Sequence, residues 1–448
     1  MKLTPMENSI IEKSRIGERS REAIEEYQLS KVRETLNCVK LNSRFYGERL
    51  KKINAEEILT LDDLRRLPFT LPQDIQNDPF AFLCVPQSEI SRVVSLCSTG
   101  TSGTQKRIFF AEEDLEQTID FFAYGMSCLV EEGDTVLVLL PGNSFGSIGD
   151  LLKKALDRIN VTCIVQGLIT NAEETADEII KNDITCIVGV PTQVLELSRT
   201  KSEIFKSRIR SVLLSTDYVP AVMIKELTEK CGCRVFTHYG MTEMGYGGGV
   251  ECEALSGYHL READLFFEII DPETGLPVCD GEYGEVVFTT LTRKAMPLIR
   301  YRTGDIAAFS PSSCACGTFL RTMKQVKGRL NNRIQVCENG FFDLAELDEI
   351  VFSVRGVLDY RAILFADTCL EIEVFAENKE TYCEIKDELT KRVQHYANEK
   401  FGQIIDVQVG LSPRITPERR ANSMIKRAIC DYRTAEGTAD SRCDKCGL

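Results

Sequence analysis

Apolar positions recur at helical spacing over residues 10–24 and 32–50, which predicts charged amphipathic helices in the first eighty residues. Thr60-Leu61-Asp62-Asp63-Leu64 reads as a helix start, and the Leu-Pro pairs at 67–68 and 71–72 end it. From Val93 the pattern changes. Short apolar runs at 93–97, 108–110, 135–140, 161–165, 184–188, 212–214 and 234–237 predict strands. Amphipathic stretches at 113–130, 148–159, 172–182, 192–198 and 222–231 predict helices between them. That alternation predicts right-handed βαβ units and a mainly parallel sheet, with ligands bound beyond the carboxyl ends of its strands.

After Leu265 the rhythm shortens to strands at 265–270, 284–291, 297–301 and 306–309. With the turn Asp271-Pro272-Glu273-Thr274-Gly275, this predicts a small antiparallel, barrel-like subdomain. Beyond Gly328, strands at 333–337, 360–365, 370–376 and 406–409 with helices at 345–352 and 382–401 predict a compact α+β unit. The expected architecture is therefore α/β. A helical segment (1–80) leads into an α/β core with a β subdomain (81–327). A small mobile α+β domain (328–433) and a disordered polar tail (434–448) follow.

Composition narrows the function classes. At 448 residues the chain is long enough for two or more domains. A net charge of −14 with no basic run disfavours nucleic acid and anionic membrane as partners. No apolar stretch approaches the ~20 residues of a membrane span, and residues 1–8 have no signal-peptide core. Most of the 18 cysteines, such as Cys128, Cys163, Cys186 and Cys369, stand singly in apolar runs, which predicts small buried hydrophobes in a reduced cytoplasm.

Candidate chemistry begins at Ser98-Thr99-Gly100-Thr101-Ser102-Gly103-Thr104-Gln105-Lys106, a hydroxyl-rich turn between two predicted strands. Glycines expose backbone N–H groups, hydroxyls add donors and lysine adds a positive charge, a combination suited to a polyphosphate. It is not a Walker A loop, because Gln105 and Arg107 stand where that pattern needs glycine and Ser/Thr. Taken alone, a polar surface turn explains it equally well.

Further motifs follow in order: Tyr239-Gly240-Met241-Thr242-Glu243, Tyr301-Arg302-Thr303-Gly304-Asp305, Gly328-Arg329-Leu330-Asn331-Asn332 and a late Lys426. Near the start stand Asn42-Ser43-Arg44-Phe45-Tyr46 and Leu67-Pro68-Phe69-Thr70. In this order, over residues 30–433, the set resembles the adenylate-forming superfamily. Within it, the chain is most similar to phenylacetate–CoA ligases and their deazaflavin-coenzyme-adenylating relatives.

The resemblance implies an ATP-dependent acid–CoA ligase that makes an acyl-adenylate and then a thioester, releasing pyrophosphate and AMP. Its substrates would be a small carboxylic acid, ATP and CoA, with Mg²⁺. It also implies roles. Residues 98–104 and Lys106 would hold the β- and γ-phosphates, Thr242 the phosphate, and Glu243 the Mg²⁺. Tyr239, with His238, Gly240 and Met241 beside it, would lie at the adenine. Asp305 would accept the ribose hydroxyls and Arg329 would support ribose or phosphate. Ser215, Thr216 and Asp217 would form the adenine-contacting loop. Lys426 would hold acid and phosphate oxygens, although Ile425 stands where the family has glycine. The last domain would rotate about a hinge at Lys327–Gly328, and such proteins are often dimeric. Adenylation without CoA transfer, or a degenerate ATP-binding protein, remain alternatives. Tyr124, Phe145 and Tyr246 are candidate walls of an acid pocket, with the glycines of 245–249 leaving room for the acyl group.

Cys252, His259, Cys314 and Cys316 make a candidate structural zinc site, since three thiolates and an imidazole complete a tetrahedral set and Gly317 gives the turn room. Some relatives are similar here. Cys443 and Cys446 form a lone C-x-x-C pair in the tail.

Overall fold

The structure, a computed structural model, describes residues 3–96, 105–337, 340–366, 369–402, 405–412 and 427–433. Residues 98–104, Ile425, Lys426 and the tail with Cys443 and Cys446 lie outside the described residues. The chain divides into two compact units. The first comprises residues 1–134, 141–165 and 236–326; the second comprises 135–140, 166–235 and 327–448.

The first unit opens with helices Pro5–Ser14, Arg21–Asn42 and Arg44–Arg49. The helical pattern of residues 10–24 is interrupted because Arg15 turns into the left-handed region (φ 55°) ahead of Gly17. Thr4 and Glu7 cap the first helix reciprocally. Ser43 separates the next two helices. Its amide closes the first on Val39, its Oγ accepts the Tyr46 amide to start the second, and its hydroxyl donates to the Ala81 carbonyl at 2.8 Å.

The long helix Arg21–Asn42 docks on residues 261–264 and 291 of the same unit. The Gln28 amide donates to the Glu262 carbonyl (2.8 Å), Arg21 pairs with the Glu262 carboxylate (2.7 Å), and Thr35 donates to the Leu291 carbonyl (3.0 Å). The motif at 60–64 forms a 3-10 helix, Leu61–Arg66. There the Asp63 carboxylate accepts the amides of Leu59 and Thr60.

Strands Arg92–Leu96 and Lys106–Phe110 pair antiparallel as a hairpin of their own. These two strands flank the hydroxyl-rich stretch in the chain. Helices Glu112–Met126 and Ile148–Arg158 follow. Strand Arg234–Tyr239 pairs antiparallel with Gly249–Glu251, and that strand with Tyr258–Leu260. Sequence patterning missed both short strands because three residues carry no readable period.

The antiparallel sheet expected after residue 265 includes Leu265–Ile270, Gly284–Thr290 and Tyr301–Ala307 in that order. Separate strands at 297–301 and 306–309 are not found. One strand begins at Tyr301, because Arg300 turns through φ 47° immediately before it.

In the second unit, strands Thr135–Leu139, Cys186–Gly189 and Ser211–Leu214 pair in parallel, with Val136 opposite Cys186 and Cys186 opposite Ser211. All four residues of each of the latter two strands are buried, the continuous apolar run of a sheet covered on both faces. Helices Ala172–Lys181, Pro191–Thr200, Ser202–Arg208 and Ala221–Cys231 belong to this unit.

Its later part carries a four-stranded sheet in the order Asp406–Leu411, Cys369–Ala376, Val357–Ala366, Cys430–Asp431, flanked by helices Leu344–Phe352 and Lys379–Phe401. Arg199 ties the two parts of the unit together. It ion-pairs with Glu226 (2.7 Å) and donates to the carbonyls of Phe352 (2.8 Å), Val354 and Val357. Of the four cysteines expected to be buried, Cys128 and Cys186 are, whereas Cys163 and Cys369 are half-exposed at strand positions. Every described cysteine is a free thiol.

The first unit is fastened by Arg300, which is 1% exposed. Its guanidinium bonds both oxygens of Glu268 (3.0 and 2.9 Å) and the carbonyls of Arg65 (3.1 Å) and Leu67 (2.9 Å), with the Phe69 ring 4.1 Å away. Removing one partner of a buried ion pair leaves the other charge uncompensated. Arg300→Ala is expected to lower unfolding free energy by about 3–5 kcal/mol, read from the urea midpoint. A shift no larger than that of an exposed arginine such as Arg44 would contradict this account.

Candidate functional site

The turn after strand Arg234–Tyr239 is built by glycines that other side chains fill. A Cβ on Gly240 would lie 2.1 Å from the Tyr246 carbonyl oxygen, so only glycine permits this close approach. Thr242–Met244 makes one 3-10 turn, and Gly245 (φ 77°) and Tyr246 (φ 65°) return the chain to Gly249–Glu251. The amides of Tyr246 and Gly248 bond back to the carbonyls of Met241 and Tyr239, both at 2.9 Å. Glu243 is held inside this turn, 3% exposed.

Glu243 Oε1 receives the Lys106 ammonium and, at 3.1 Å, the Tyr301 hydroxyl; Lys106 Nζ also donates to the Tyr301 oxygen at 3.2 Å. Lys106 is the first residue of its strand, so this triangle stands directly beside the end of the hydroxyl-rich turn. Four residues before Glu243, the Tyr239 hydroxyl donates to Asp305 Oδ2 at 3.1 Å, and both residues are buried. The Asp305 amide bonds the Thr303 hydroxyl at 3.0 Å. One short loop and three strands thus supply two contact sets, Lys106 with Glu243 and Tyr301, and Tyr239 with Asp305, with Thr242 beside Glu243 in the chain. Sequence reasoning assigned no role to Tyr301, though it opens the motif that ends in Asp305.

His238 ends the same strand with its Nε2 shielded from solvent. Its ring faces Phe121 and Phe122 (centroids 6.0 and 6.2 Å), and burial pushes its pKa down to about 4, so it is neutral at pH 7. The glycines of 245–249 do not leave open space. Cβ atoms at Gly247, Gly248 and Gly249 would lie 2.2 Å from the Phe121 ring, 2.5 Å from Met244 Sδ and 2.9 Å from Tyr258 Cβ. Tyr246 is buried and stacks on Phe110 (5.2 Å). The other two expected pocket walls face elsewhere: Tyr124 bonds Glu12 at 2.9 Å, and Phe145 is 56% exposed beneath Lys154.

The remaining candidates lie in the second unit. Ser215 follows strand Ser211–Leu214 and bonds its amide to the Gly189 carbonyl (3.1 Å). Thr216 has φ 81°, and Asp217 Oδ1 accepts the Tyr218 amide (2.9 Å). Arg329 is half-buried in the two-residue strand Gly328–Arg329. Arg427 is enclosed as well. It pairs with Asp348 (2.7 Å) between the rings of Phe352 and Tyr360, and burial, opposed by this arginine, pushes the Asp348 carboxyl up to about 6.

Cys252, His259, Cys314 and Cys316 converge, their ligand atoms all within 4.8 Å of one another. Cys252 Sγ lies 3.6 Å from Cys314 Sγ, and Cys316 Sγ lies 3.6 Å from His259 Nε2. Donors at ~2.3 Å from a tetrahedral Zn²⁺ stand about 3.8 Å apart, so the four fit that ion. Burial holds His259 at about 4, neutral as a ligand must be, and raises Cys252 and Cys316. Burial opposes ionisation of Cys314 too, but hydrogen bonds from Ser256 and the Cys316 amide outweigh it and lower its pKa. Gly317 turns at φ 78°, and beyond it the Phe319 amide bonds the buried Glu7 at 3.3 Å.

Comparison with known proteins gives a consistent picture. A family model described as "AMP-binding enzyme" matches residues 89–291. The chain is 24% identical over 415 residues to the phenylacetate–coenzyme A ligase of Thermus thermophilus, covering 88% of this chain and 92% of that protein. It is 26% identical over 389 residues to the Pseudomonas putida protein of the same name, covering 84% of each. In fold it is similar to a crystal structure of 2-hydroxyisobutyryl-CoA ligase with an acyl-AMP in the postadenylation state. The TM-score is 0.74 at 18% identity, covering 88% of this chain and 86% of that one.

The close packing at Gly247 makes a prediction. Gly247→Ala should cost about 1–3 kcal/mol of stability through overpacking, and Phe121→Ala in the same chain should recover part of it. A double-mutant cycle by thermal or urea unfolding checks the coupling, and strict additivity would refute the contact.

Proposed function

The chain belongs to the adenylate-forming (AMP-binding) superfamily, in its phenylacetate–CoA ligase-like family, and from that premise we propose how its residues carry out ATP-dependent acid–CoA ligation. A carboxylate oxygen of the acid attacks the α-phosphorus of ATP. The bond to the β-phosphate oxygen breaks, and pyrophosphate leaves with the electron pair. The thiol of CoA, giving up its proton, then attacks the acyl carbon of the adenylate and AMP leaves. The principal obstacle to the first step is the approach of two anions.

What supports the reading is the presence of two polar sets whose members Tyr239 and Glu243 lie four residues apart, at a strand end and in the loop after it. Tyr239 and Asp305 form an aromatic face with a carboxylate beside it, which suits a nucleoside: the ring covers the base and the carboxylate accepts ribose hydroxyls. Lys106 and Glu243 form a cation and a hard oxygen donor, which suit a polyphosphate and its metal. Mg²⁺ bound at Glu243 would supply positive charge to screen the phosphates. Thr242 would donate to a phosphate oxygen. Ser98, Thr99, Gly100, Thr101, Ser102, Gly103 and Thr104 would complete the phosphate contacts, with Ser215–Asp217 at the adenine, Arg329 at ribose or phosphate, and Lys426 at the acid. The neutral His238 and the rings of Phe121 and Phe122 would favour an uncharged, apolar acyl group. The two relatives named for phenylacetate make that acid the first to test.

Zinc at Cys252, His259, Cys314 and Cys316 would be structural. All four positions are protein ligands with none left for substrate, and it would pin residues 252–259 to the turn at 314–317. The free thiols and the acidic charge fit a cytoplasmic protein, and no described helix is long and apolar enough to cross a membrane.

Two measurements test this function. ATP–pyrophosphate exchange is expected with aryl-acetic acids, and AMP release is expected to accelerate when CoA is added. Exchange without any response to CoA would point to adenylation alone, and no exchange with any acid would refute the ligase. For the metal, the purified protein should hold about one zinc per chain. Chelation or Cys316→Ser should lower the melting temperature, whereas metal-free protein of unchanged melting temperature would remove zinc from the account.

A further inference from the structure

Tyr301 is the member of the Glu243 triangle with no role so far, and its geometry is specific. It is 1% exposed, and its hydroxyl simultaneously donates to Glu243 Oε1 (3.1 Å) and accepts from Lys106 Nζ (3.2 Å). A phenol can do both at once. Its backbone is fixed on two sides. Tyr301 pairs with Phe288 in the sheet, and Thr70 bridges it, donating its amide to the Arg300 carbonyl (3.0 Å) and accepting the Arg302 amide at its own carbonyl (3.0 Å). The ring also packs on Phe288, centroids 5.4 Å apart.

Lys106 is held differently. It starts a strand immediately after the phosphate-type turn, and its side chain is 15% exposed against 4% for that of Glu243. In this state its ammonium is spent on Glu243. To serve a phosphate it must leave, and Glu243 then gives up that ion pair until a metal replaces it. Weakening the pairing of a buried carboxylate is disfavoured. The Tyr301 hydroxyl is a donor that the sheet keeps in place on Glu243 Oε1.

We propose that Tyr301 is a positioning residue that holds the Glu243 carboxylate in its metal-binding orientation while Lys106 passes from Glu243 to the nucleotide. The inference rests on the reading of Glu243 as the magnesium-holding carboxylate. Tyr301 touches neither substrate nor metal and acts through Glu243.

Calorimetric titration of ATP, in excess Mg²⁺ and in EDTA, tests it on the full chain without requiring turnover. Wild type should bind ATP more tightly with Mg²⁺, and Glu243→Gln should lose that gain. Tyr301→Phe should weaken binding about tenfold in Mg²⁺, the size of one lost hydrogen bond to a charged group, and by less than about twofold in EDTA. Its melting temperature is measured alongside. Equal weakening in both buffers, or none in Mg²⁺, would overturn the proposal while Glu243→Gln still behaves as expected. A wild type indifferent to Mg²⁺, or a Glu243→Gln variant that keeps the gain, would instead remove the reading of Glu243 and the proposal with it.

Discussion

The guanidinium of Arg300 carries a charge into the interior of the first unit, and the residues around it are arranged to accept it. Burying an unpaired cation is prohibitive, so Glu268 must lie opposite and the carbonyls of Arg65 and Leu67 must turn inward. That requirement draws residues 59–70 against the antiparallel sheet and lays Phe69 over the planar group. Thr70 then has a fixed place, with its hydroxyl donating to the Ile299 carbonyl (2.7 Å) and accepting from the Tyr46 phenol (2.8 Å). The residue next to Arg300 is Tyr301. The strand that carries the Tyr301 hydroxyl to Glu243 thus begins at a buried ion pair.

The two polar pairs of the site differ in how they are balanced. Tyr239 and Asp305 meet through one neutral donor, which leaves the carboxylate its charge for other donors. Lys106 and Glu243 cancel each other. In a poorly hydrated setting that cancellation protects both groups from the cost of lone burial.

Much of this was legible in the sequence, for reasons that differ by element. Helices such as Ile148–Arg158 and Ala172–Lys181, and the covered strands Cys186–Gly189 and Ser211–Leu214, follow from periodicity and continuous apolar runs, which are local properties. The convergence of Cys252, His259, Cys314 and Cys316 was anticipated from residue chemistry and a family likeness. Residues 297–309 were misread as two strands because the feature that divides them is a backbone turn at Arg300, stabilised by partners more than 230 positions away. The glycines after Glu243 suggested vacancy. Their purpose is contact, and the atoms that fill the space come from Phe121, Met244 and Tyr258. Tyr301 escaped notice because its hydrogen bonds span 58 and 195 residues, a relation that no local pattern encodes.

The spacing of the cysteine cluster bears on how the chain is made as well as on how it stands. Between Cys252 and Cys316 lie the strands Tyr258–Leu260, Leu265–Ile270, Gly284–Thr290 and Tyr301–Ala307. During synthesis the four side chains cannot meet until residue 316 has emerged, by which time Leu265–Ile270, Gly284–Thr290 and Tyr301–Ala307 are already available to pair. The clasp can therefore close only around a segment able to fold. Because closure entropy rises slowly with loop length, enclosing some sixty residues is little harder than enclosing half as many. With the proposed zinc bound, the cluster would act as a late fastener on a nascent sheet, and Glu7, translated long before it, accepts the amide of Phe319 beside the turn that completes it.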